Sequence, residues 1–318
     1  MTGRGAIVRR FAKIALVVFV ASHAVAGFGI APWLITEGLT APVPRPIGPP
    51  PDALHGASSI RFESASGRPV HAWSAPGRPG RGTVVLAHAV RSDRRSLVDR
   101  AVFLQRAGYG VLLYDAQAHG ESPGERITFG YRESLDATAA VALARREAAA
   151  APVAFIGISQ GGASALLAPA PLELDALVIE AVYPTLAQAS ANRIALRFGP
   201  PGRWLSPLLL WPFELRLGVA PEDVAPIERI RDVRAPLLVV AGERDQRTTL
   251  AESRALFAAA PEPKTLWIVP DAGHVDFHHA APEAYERRIL DFLARSLADR
   301  SERRDRAPTF AHRERAQP

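Results

Sequence analysis

The residues best suited to chemistry lie at positions 157–161, which read Gly-Ile-Ser-Gln-Gly. An apolar run, 153–156, precedes them, and small residues with a helical pattern follow at 162–167. A sharp turn from strand to helix needs small neighbours and forces strained dihedral angles on its central residue. Such a turn would lift the Ser159 hydroxyl out of the sheet, with the next backbone N–H at a helix N-terminus beside it. The pattern therefore predicts a nucleophilic serine.

A serine hydroxyl is a poor nucleophile unless a base removes its proton, and a carboxylate should orient that base. Asp245 follows the buried apolar run 236–240, and His274 follows the next one, 265–269. Loops after the carboxyl ends of parallel strands open on one edge of the sheet, where Ser159 also lies. The three residues are predicted to meet there, in the chain order Ser, Asp, His.

Other residues of the same types offer alternative assignments. Asp271 lies on the same turn as the histidine, and Glu180 ends an apolar strand, so either is an alternative acid. We interpret His88 and His119 as structural loop residues rather than as the base.

Metal and cofactor sites are not predicted. The chain has no cysteine, which excludes disulfides, thiolate metal sites and a cysteine nucleophile. His278 and His279 are interpreted as solvent-exposed, because a metal site there would need a carboxylate partner that the sequence does not identify. No glycine-rich nucleotide-binding motif is present, and we expect no cofactor.

The elements that position these residues alternate between strand and helix patterns. The alternation predicts an α/β fold with a mostly parallel, doubly wound sheet and helices on both faces. An antiparallel hairpin is expected near its start, over 59–64 and 69–74. The further predicted strands are 83–87, 111–114, 153–156, 175–179, 236–240 and 265–269, and the predicted helices are 97–107, 133–149, 162–167, 249–259 and 282–297.

An apolar insertion over about 183–232 interrupts this alternation. It is predicted to cap the active site and to bind substrate through Trp204, Leu208 and Trp211, the alternative being helices packed on the sheet edge. The predicted organisation is a basic segment and membrane anchor or signal (1–40), a proline-rich spacer (41–57), the main domain (58–300) and a disordered charged tail (301–318).

The N-terminal segment carries four basic residues before an apolar run from 14 to 35. That run is long enough to span a bilayer, which needs about 20 apolar residues. A cleaved signal is the alternative, since Ala24 and Ala26 form an A-x-A site. Apolarity continues past that site to Trp33, which favours an anchor. In both cases the main domain is expected outside the cytoplasm. It is membrane-anchored if the segment is an anchor and secreted if the segment is a cleaved signal.

The net charge of +6 arises at the two ends of the chain. The basic start contributes +4 and the residues from 301 onward +2, so the body between them is neutral. This distribution argues against nucleic-acid binding.

The chain resembles the α/β-hydrolase superfamily over about 58–297, on Ser159 in GISQG, Asp245 in AGERD and His274 in PDAGH. With its N-terminal segment, proline-rich stretch and HAVRSDR, it is similar to bacterial membrane-anchored hydrolases described as serine aminopeptidase-like or esterase-like. The resemblance implies an acyl-enzyme route, in which Ser159 attacks a carbonyl carbon and His274 transfers the proton.

Two backbone N–H groups, those of Gln160 and Val90, are expected to form the oxyanion hole. Members of the superfamily usually carry glycine where this chain has Ala89, and a methyl group fits there only if φ is negative.

The expected substrate is a small-molecule ester or acyl compound with an apolar part. An amide-cleaving peptidase would use the same residues, and a non-catalytic binding protein of the same fold is a second alternative. The sequence makes no prediction of oligomeric state.

Overall fold

The structure is a computed structural model that describes residues 3–147, 150–274 and 276–305. The strands are β1 (Val43–Pro44), β2 (Ser58–Glu63), β3 (Pro69–Ala75), β4 (Thr83–Ala87), β5 (Gly110–Tyr114), β6 (His119–Gly120), β7 (Val153–Ile158), β8 (Ala176–Glu180), β9 (Leu237–Gly242) and β10 (Lys264–Val269). The α-helices are α1 (Gly3–Val25), α2 (Ala31–Thr40), α3 (Val98–Arg106), α4 (Glu133–Glu147), α5 (Gln160–Leu166), α6 (Leu186–Phe198), α7 (Ser206–Leu217), α8 (Pro226–Arg229), α9 (Leu250–Ala259), α10 (Phe277–Ala280) and α11 (Pro282–Asp305).

Eight strands form the central sheet in the order β10-β9-β8-β7-β4-β5-β3-β2. The β2–β3 and β3–β5 pairs are antiparallel, and every other neighbouring pair in this sheet is parallel. The prediction of a mostly parallel α/β sheet is confirmed, including its antiparallel hairpin.

Both faces of the sheet are buried. In β4, Val85 and Ala87 belong to one apolar cluster, and Val84 and Leu86 belong to the other. This alternation follows from the two-residue period of a strand, and a strand covered on both faces must be apolar throughout. Helices α4, α5 and α9 contribute to the first cluster, and α3 and α11 contribute to the second.

The order of the strands fixes where a ligand can bind. From β4 the chain passes to β5 on one side and then returns to β7 on the other side. The carboxyl ends of β4 and β7 therefore diverge at a topological switch point, where open α/β sheets hold their ligands. Ser159 directly follows β7, and the loop 88–91 directly follows β4.

The proline-rich stretch is not a free spacer, which corrects the expectation that the domain begins near residue 58. Prolines alternate with other residues over 42–47, so the remaining N–H groups all point to one side of an extended chain. That side lies against the domain. The N–H of Val43 donates to the Ala118 carbonyl (2.8 Å), that of Arg45 to the Gly120 carbonyl (2.8 Å) and that of Ile47 to a Glu121 carboxylate oxygen (3.1 Å).

The N-terminal helix runs from α1 through a π-helical stretch, 26–30, into α2. Residues Arg10–Thr40 form one helical stretch, long and apolar enough to cross a membrane, and its most apolar 18-residue window has a mean hydropathy of 2.2. Its last part joins the main domain. The Thr36 hydroxyl donates to the Leu209 carbonyl in α7 (3.0 Å), and Glu37 forms ion pairs with Arg126 and Arg216.

The insertion forms helices α6, α7 and α8, connected by 3₁₀ turns. At the other end of the chain, α11 reaches Asp305, so the helix is longer than the predicted 282–297 and includes the first residues of the predicted tail. The rest of that tail, 306–318, lies outside the described residues.

A buried ion cluster ties α3 to β8 and α11. The Arg100 guanidinium donates to Glu180 (2.9 Å), Asp276 (3.0 Å) and the Tyr285 hydroxyl (3.0 Å). The side chains of Arg100 and Glu180 are each only 1% exposed. Removing one partner of a buried pair is strongly destabilising, because the other charge then lacks compensation.

We predict that Glu180→Gln lowers the free energy of unfolding by about 3 kcal/mol, because it leaves the buried Arg100 charge under-compensated. Chemical denaturation of the detergent-solubilised chain measures this change. The matched control is Glu228→Gln, which breaks a pair with Arg231 whose side chains are more than half exposed, and it should cost less than about 1 kcal/mol. Equal losses in the two variants would contradict the prediction.

Candidate active site

The turn after β7 holds Ser159 in a strained conformation. Its φ is 50° and its ψ is −112°, and it caps the N-terminus of α5. The flanking glycines make room for this turn. A Cβ on Gly157 would lie 2.5 Å from the Gly162 nitrogen, and one on Gly161 would lie 2.5 Å from the Ala87 carbonyl oxygen. The small residues of the motif are thus a steric requirement of the turn.

A carboxylate and an imidazole meet at the same edge of the sheet. Nδ1 of His274 lies 2.8 Å from Oδ2 of Asp245. The Asp245 side chain is 1% exposed, and its Oδ1 accepts the N–H groups of Arg247 (2.8 Å) and Thr248 (2.9 Å). Both carboxylate oxygens are thus occupied. Because Nδ1 faces the carboxylate, Nε2 of His274 is left for proton transfer.

Ser159 completes the set of predicted catalytic residues at this edge, since β7, β8, β9 and β10 are neighbouring parallel strands. Among the described residues, no hydrogen bond joins the Ser159 hydroxyl to His274. Catalytic hydrogen bonds are often long without substrate and tighten in the complex.

The two alternative acids have other partners. Asp271 pairs with Arg244 at the surface, where each side chain is 72% exposed. Glu180 lies in the buried cluster with Arg100. Among the described residues, Asp245 is the carboxylate that pairs with His274.

The two predicted oxyanion donors belong to residues that line one cavity together with Ser159. They are Gln160, at the start of α5, and Val90, after β4. Ala89 is absent from the described non-glycine residues with positive φ, so its methyl group fits the loop. The left-handed residue is instead Arg91, with a φ of 60°.

His88 and His119 hold this loop in place. Nδ1 of His88 lies 2.8 Å from the Ala89 carbonyl, while its Nε2 accepts the Ala116 N–H (3.0 Å). Nδ1 of His119 lies 2.9 Å from the Gln117 carbonyl, and its Nε2 accepts the Arg91 N–H (3.0 Å). Since a carbonyl only accepts, both rings must be neutral with the proton on Nδ1.

Burial lowers the pKa of His88 to about 4. Burial and the nearby His88 lower the pKa of His119 to about 4 as well. Both imidazoles are therefore neutral at pH 7, and the interpretation of the two histidines as structural agrees with their hydrogen bonds.

A second support of the loop was not predicted from the sequence. The buried Arg94 pairs with Asp115 and Glu121, and its guanidinium lies over the Trp73 ring, 4.7 Å from the centroid. In the sequence, the signal for this arginine was its place as the last residue of the HAVRSDR stretch. Its two carboxylate partners follow β5, and the spacing along the chain does not identify them.

A cavity of about 560 Å³ opens beside Ser159. Its walls come from the loop after β4, from α6 and from α7, whose Leu209, Leu210 and Phe213 face it. The predicted cap over the site is therefore present, and the alternative of helices without ligand contact is not supported.

The three predicted substrate-binding residues do not line this cavity, which is a correction. Trp204 is 87% exposed, and Trp211 packs beside Trp33 of α2, with 6.2 Å between ring centroids. Leu208 is half-buried and also lies outside the cavity wall. The prediction identified the right insertion, but it did not identify the face that α7 turns inward, because that face depends on how α7 packs against α2.

The N-terminal helix contributes to the same cavity. Thr36, Leu39 and Thr40 of α2 form part of its wall. The Thr40 carbonyl accepts the Ile127 N–H (2.8 Å), and the Gly38 carbonyl accepts from the Arg91 guanidinium (3.0 Å). The segment predicted to be an anchor is therefore also part of the site.

Across the described residues, no group of histidines and acids is arranged to hold a metal ion. His279 is exposed, as predicted, but His278 is buried and its Nε2 lies 3.1 Å from Glu286. The expectation that both are solvent-exposed is wrong for His278, which packs against Phe103 and Tyr285.

Comparison with known proteins agrees with this architecture. Residues 78–199 match the family described as serine aminopeptidase, S33. The chain is 30% identical over 258 residues to the uncharacterized protein Rv2307c of Mycobacterium tuberculosis, covering 79% of this chain and 84% of that one. The chain belongs to the α/β-hydrolase superfamily, as the resemblance implied.

Two further similarities are more distant. Uncharacterized protein YfhR of Escherichia coli K12 is 23% identical over 298 residues, covering 91% of this chain and 96% of that protein. The esterase Pf2001 of Pyrococcus furiosus has a similar structure, with a TM-score of 0.67 at 24% identity, over 81% of this chain and 98% of the esterase. At this identity the likeness shows the shared fold.

The two neutral histidines predict a specific dependence of stability on pH. The pKa of His119 in the folded protein, about 4, is below its ordinary value of 6.5. The contribution of the neutral imidazole to stability is therefore complete above pH 6.5 and is lost as pH falls towards 4. We expect the stability difference between wild type and His119→Gln to shrink by about 2 to 3 kcal/mol between pH 7 and pH 4.

Denaturation at a series of pH values measures this difference, and other titrating groups cancel in the subtraction. His279→Gln, at an exposed histidine, is the control and should leave the pH dependence unchanged. A difference for His119→Gln that is independent of pH would contradict the assignment of His119 as a neutral imidazole in the folded protein.

Proposed function

We propose that this protein is a serine hydrolase that cleaves carboxylic esters through an acyl-enzyme intermediate. The observation that carries the proposal is the 2.8 Å contact between His274 and the buried Asp245, at the sheet edge where strained Ser159 borders a cavity. The proposed triad is Ser159, His274 and Asp245, and the proposed oxyanion donors are the N–H groups of Gln160 and Val90.

In the first half-reaction, Oγ of Ser159 attacks the carbonyl carbon while Nε2 of His274 takes the hydroxyl proton. Asp245 holds the imidazole and stabilises its charged form. The Gln160 and Val90 N–H groups stabilise the oxyanion, and His274 returns the proton to the departing alcohol. Water then attacks the acyl-enzyme by the same steps, which releases the acid and regenerates the Ser159 hydroxyl.

Apolar side chains support an ester with an apolar part as substrate. Leu209, Leu210 and Phe213 from α7 face the cavity, and Leu186 and Leu196 from α6 add to it. The esterase Pf2001 shares the fold, and the matching family is described as a serine aminopeptidase, so amide cleavage is the second candidate. The non-catalytic alternative is less well supported, because its only basis was Ala89, whose methyl group fits the loop.

We further propose that the N-terminal helix anchors the enzyme in a membrane. Its apolar side chains Phe19, Val17 and Leu16 are each about 60% exposed, so the described protein does not cover them. Lipid would cover them, and the basic residues before them favour a cytoplasmic N-terminus. The catalytic domain would then lie outside the cytoplasm.

The proposed triad predicts how an active-site probe behaves. A fluorophosphonate should label wild type at Ser159 and fail to label Ser159→Ala. Asp245→Asn should lower the turnover of p-nitrophenyl esters by about 10⁴-fold, because the imidazole loses its orienting carboxylate.

The matched control is Asp271→Asn, at the exposed acid on the same loop as His274, which should keep wild-type turnover. Aminoacyl-nitroanilides tested in parallel decide between ester and amide. Absence of labelling in folded wild type would refute the proposal, and turnover of amides alone would refute its ester part.

The anchor predicts that the full chain stays in the membrane pellet after alkaline carbonate extraction. Replacing Val17 and Val18 by Lys should move it to the supernatant, since each charge near the centre of a span costs about 3 kcal/mol. Replacing both by Leu is the control and should leave it in the pellet. N-terminal sequencing that begins at Gly27 would contradict the anchor and indicate a cleaved signal.

A further inference from the structure

Among the described residues, the charged side chains that line the cavity beside Ser159 are all basic. Four arginines, at 91, 193, 197 and 247, contribute to its wall, and among the described residues no aspartate or glutamate does. The remaining lining is apolar or neutral. A concave site lined by charges of one sign concentrates ligands of the opposite sign.

Arg193 is half-buried, and it differs from three buried or half-buried arginines elsewhere in the protein. Arg94, Arg100 and Arg216 each form an ion pair with at least one carboxylate. Arg193 lies on α6, and its guanidinium donates only to the Ala189 carbonyl one turn earlier (3.1 Å). Among the described residues it forms no ion pair with a carboxylate. Partial removal of a guanidinium from water without a counter-ion is unfavourable, so this position favours an anion from outside the protein.

Arg247 adds a second positive charge beside the reacting groups. Its backbone N–H donates to Asp245 (2.8 Å), and its carbonyl accepts from the Asn192 side chain of α6 (3.2 Å). Burial lowers the pKa of Arg193, and the charge of Arg247 lowers it further, while Tyr183 and Asp245 oppose this effect. The two guanidinium groups therefore repel each other across the α6 side of the cavity.

We infer that Arg193 and Arg247 form an anion subsite, so that the substrate carries a carboxylate or phosphate group in addition to its apolar part. This inference rests on the proposed function, because it concerns the cavity in which Ser159 would act. An anion bound between the two guanidinium groups relieves their repulsion and supplies the counter-ion that Arg193 lacks. Apolar residues from α7 remain for the uncharged part of the ligand.

Arg193 has a different role if it only stabilises the charge of Asp245. In that case its loss weakens the acid–base pair and slows every substrate equally. If Arg193 instead binds an anion, its loss slows the reaction of charged ligands more than that of neutral ones. The ratio of two rates therefore separates the two roles.

The test uses alkyl fluorophosphonates of equal length on the full chain in neutral detergent. One probe ends in a methyl group, a second in a carboxylate and a third in a phosphate, and the second-order rate constant for labelling Ser159 is measured. Wild type should react about ten-fold or more faster with an anionic probe than with the methyl probe, because hydrogen bonds to charged groups are the strong ones. The carboxylate and phosphate arms show which anion is preferred.

Arg193→Gln should reduce this preference by about ten-fold or more, and Arg193→Lys should retain part of it because the charge remains. Arg247→Gln should reduce it in the same direction. The control is Arg254→Gln on α9, an exposed arginine outside the cavity wall, which should keep the wild-type ratio. Thermal melts verify that each variant is folded.

Equal reaction of wild type with methyl and anionic probes would overturn the inference and leave the proposed function intact. An equal loss for all probes in Arg193→Gln would overturn it too and assign Arg193 to the support of Asp245. Failure of wild type to react with any probe would instead overturn the proposed function, and the inference with it.

Discussion

The close approach of α5 to β4 and β7 is the constraint on which the rest of the site depends. Gly161 lies against the Ala87 carbonyl and Gly157 against the start of α5, with no space for a side chain at either position. Because the backbone is that crowded, Ser159 must adopt a positive φ. This conformation directs its side chain away from the sheet and towards the crevice between β4 and β7. The loop 88–91, the cap and the pair of Asp245 with His274 are all arranged around that crevice.

The local part of this arrangement could be predicted from the sequence. Ser159, Asp245 and His274 each follow an apolar strand, and parallel strands bring such positions to one edge whatever their separation along the chain. The sheet itself was predictable because strands such as β4, buried on both faces, consist of apolar residues. These features depend on the apolar composition of the strands and on the hydrophobic periodicity of the elements, which a sequence shows directly.

Features that depend on non-local packing could not be predicted. The face that α7 turns to the cavity is set by the contact of Trp211 with Trp33, more than 170 positions away along the chain. His278 was misassigned for the same reason, since its burial comes from Phe103 and Tyr285. The proline-rich stretch was interpreted from composition as a spacer, although its alternating prolines also place every remaining N–H on one side. That period of two was a usable signal for a strand.

The participation of α2 in the cavity wall determines what cleavage of the N-terminal segment would do to the cavity. The A-x-A site at Ala24–Ala26 lies before α2, within the helix that leads to it. A signal peptidase acting there would remove the part of the helix that is proposed to face lipid and leave Thr36, Leu39 and Thr40 in their places. The ion pairs of Glu37 with Arg126 and Arg216 would keep the shortened helix on the domain. Release from the proposed membrane anchor is therefore compatible with an intact cavity beside Ser159. A shortened chain meant to lack the anchor should begin before Ala31 rather than at Ser58.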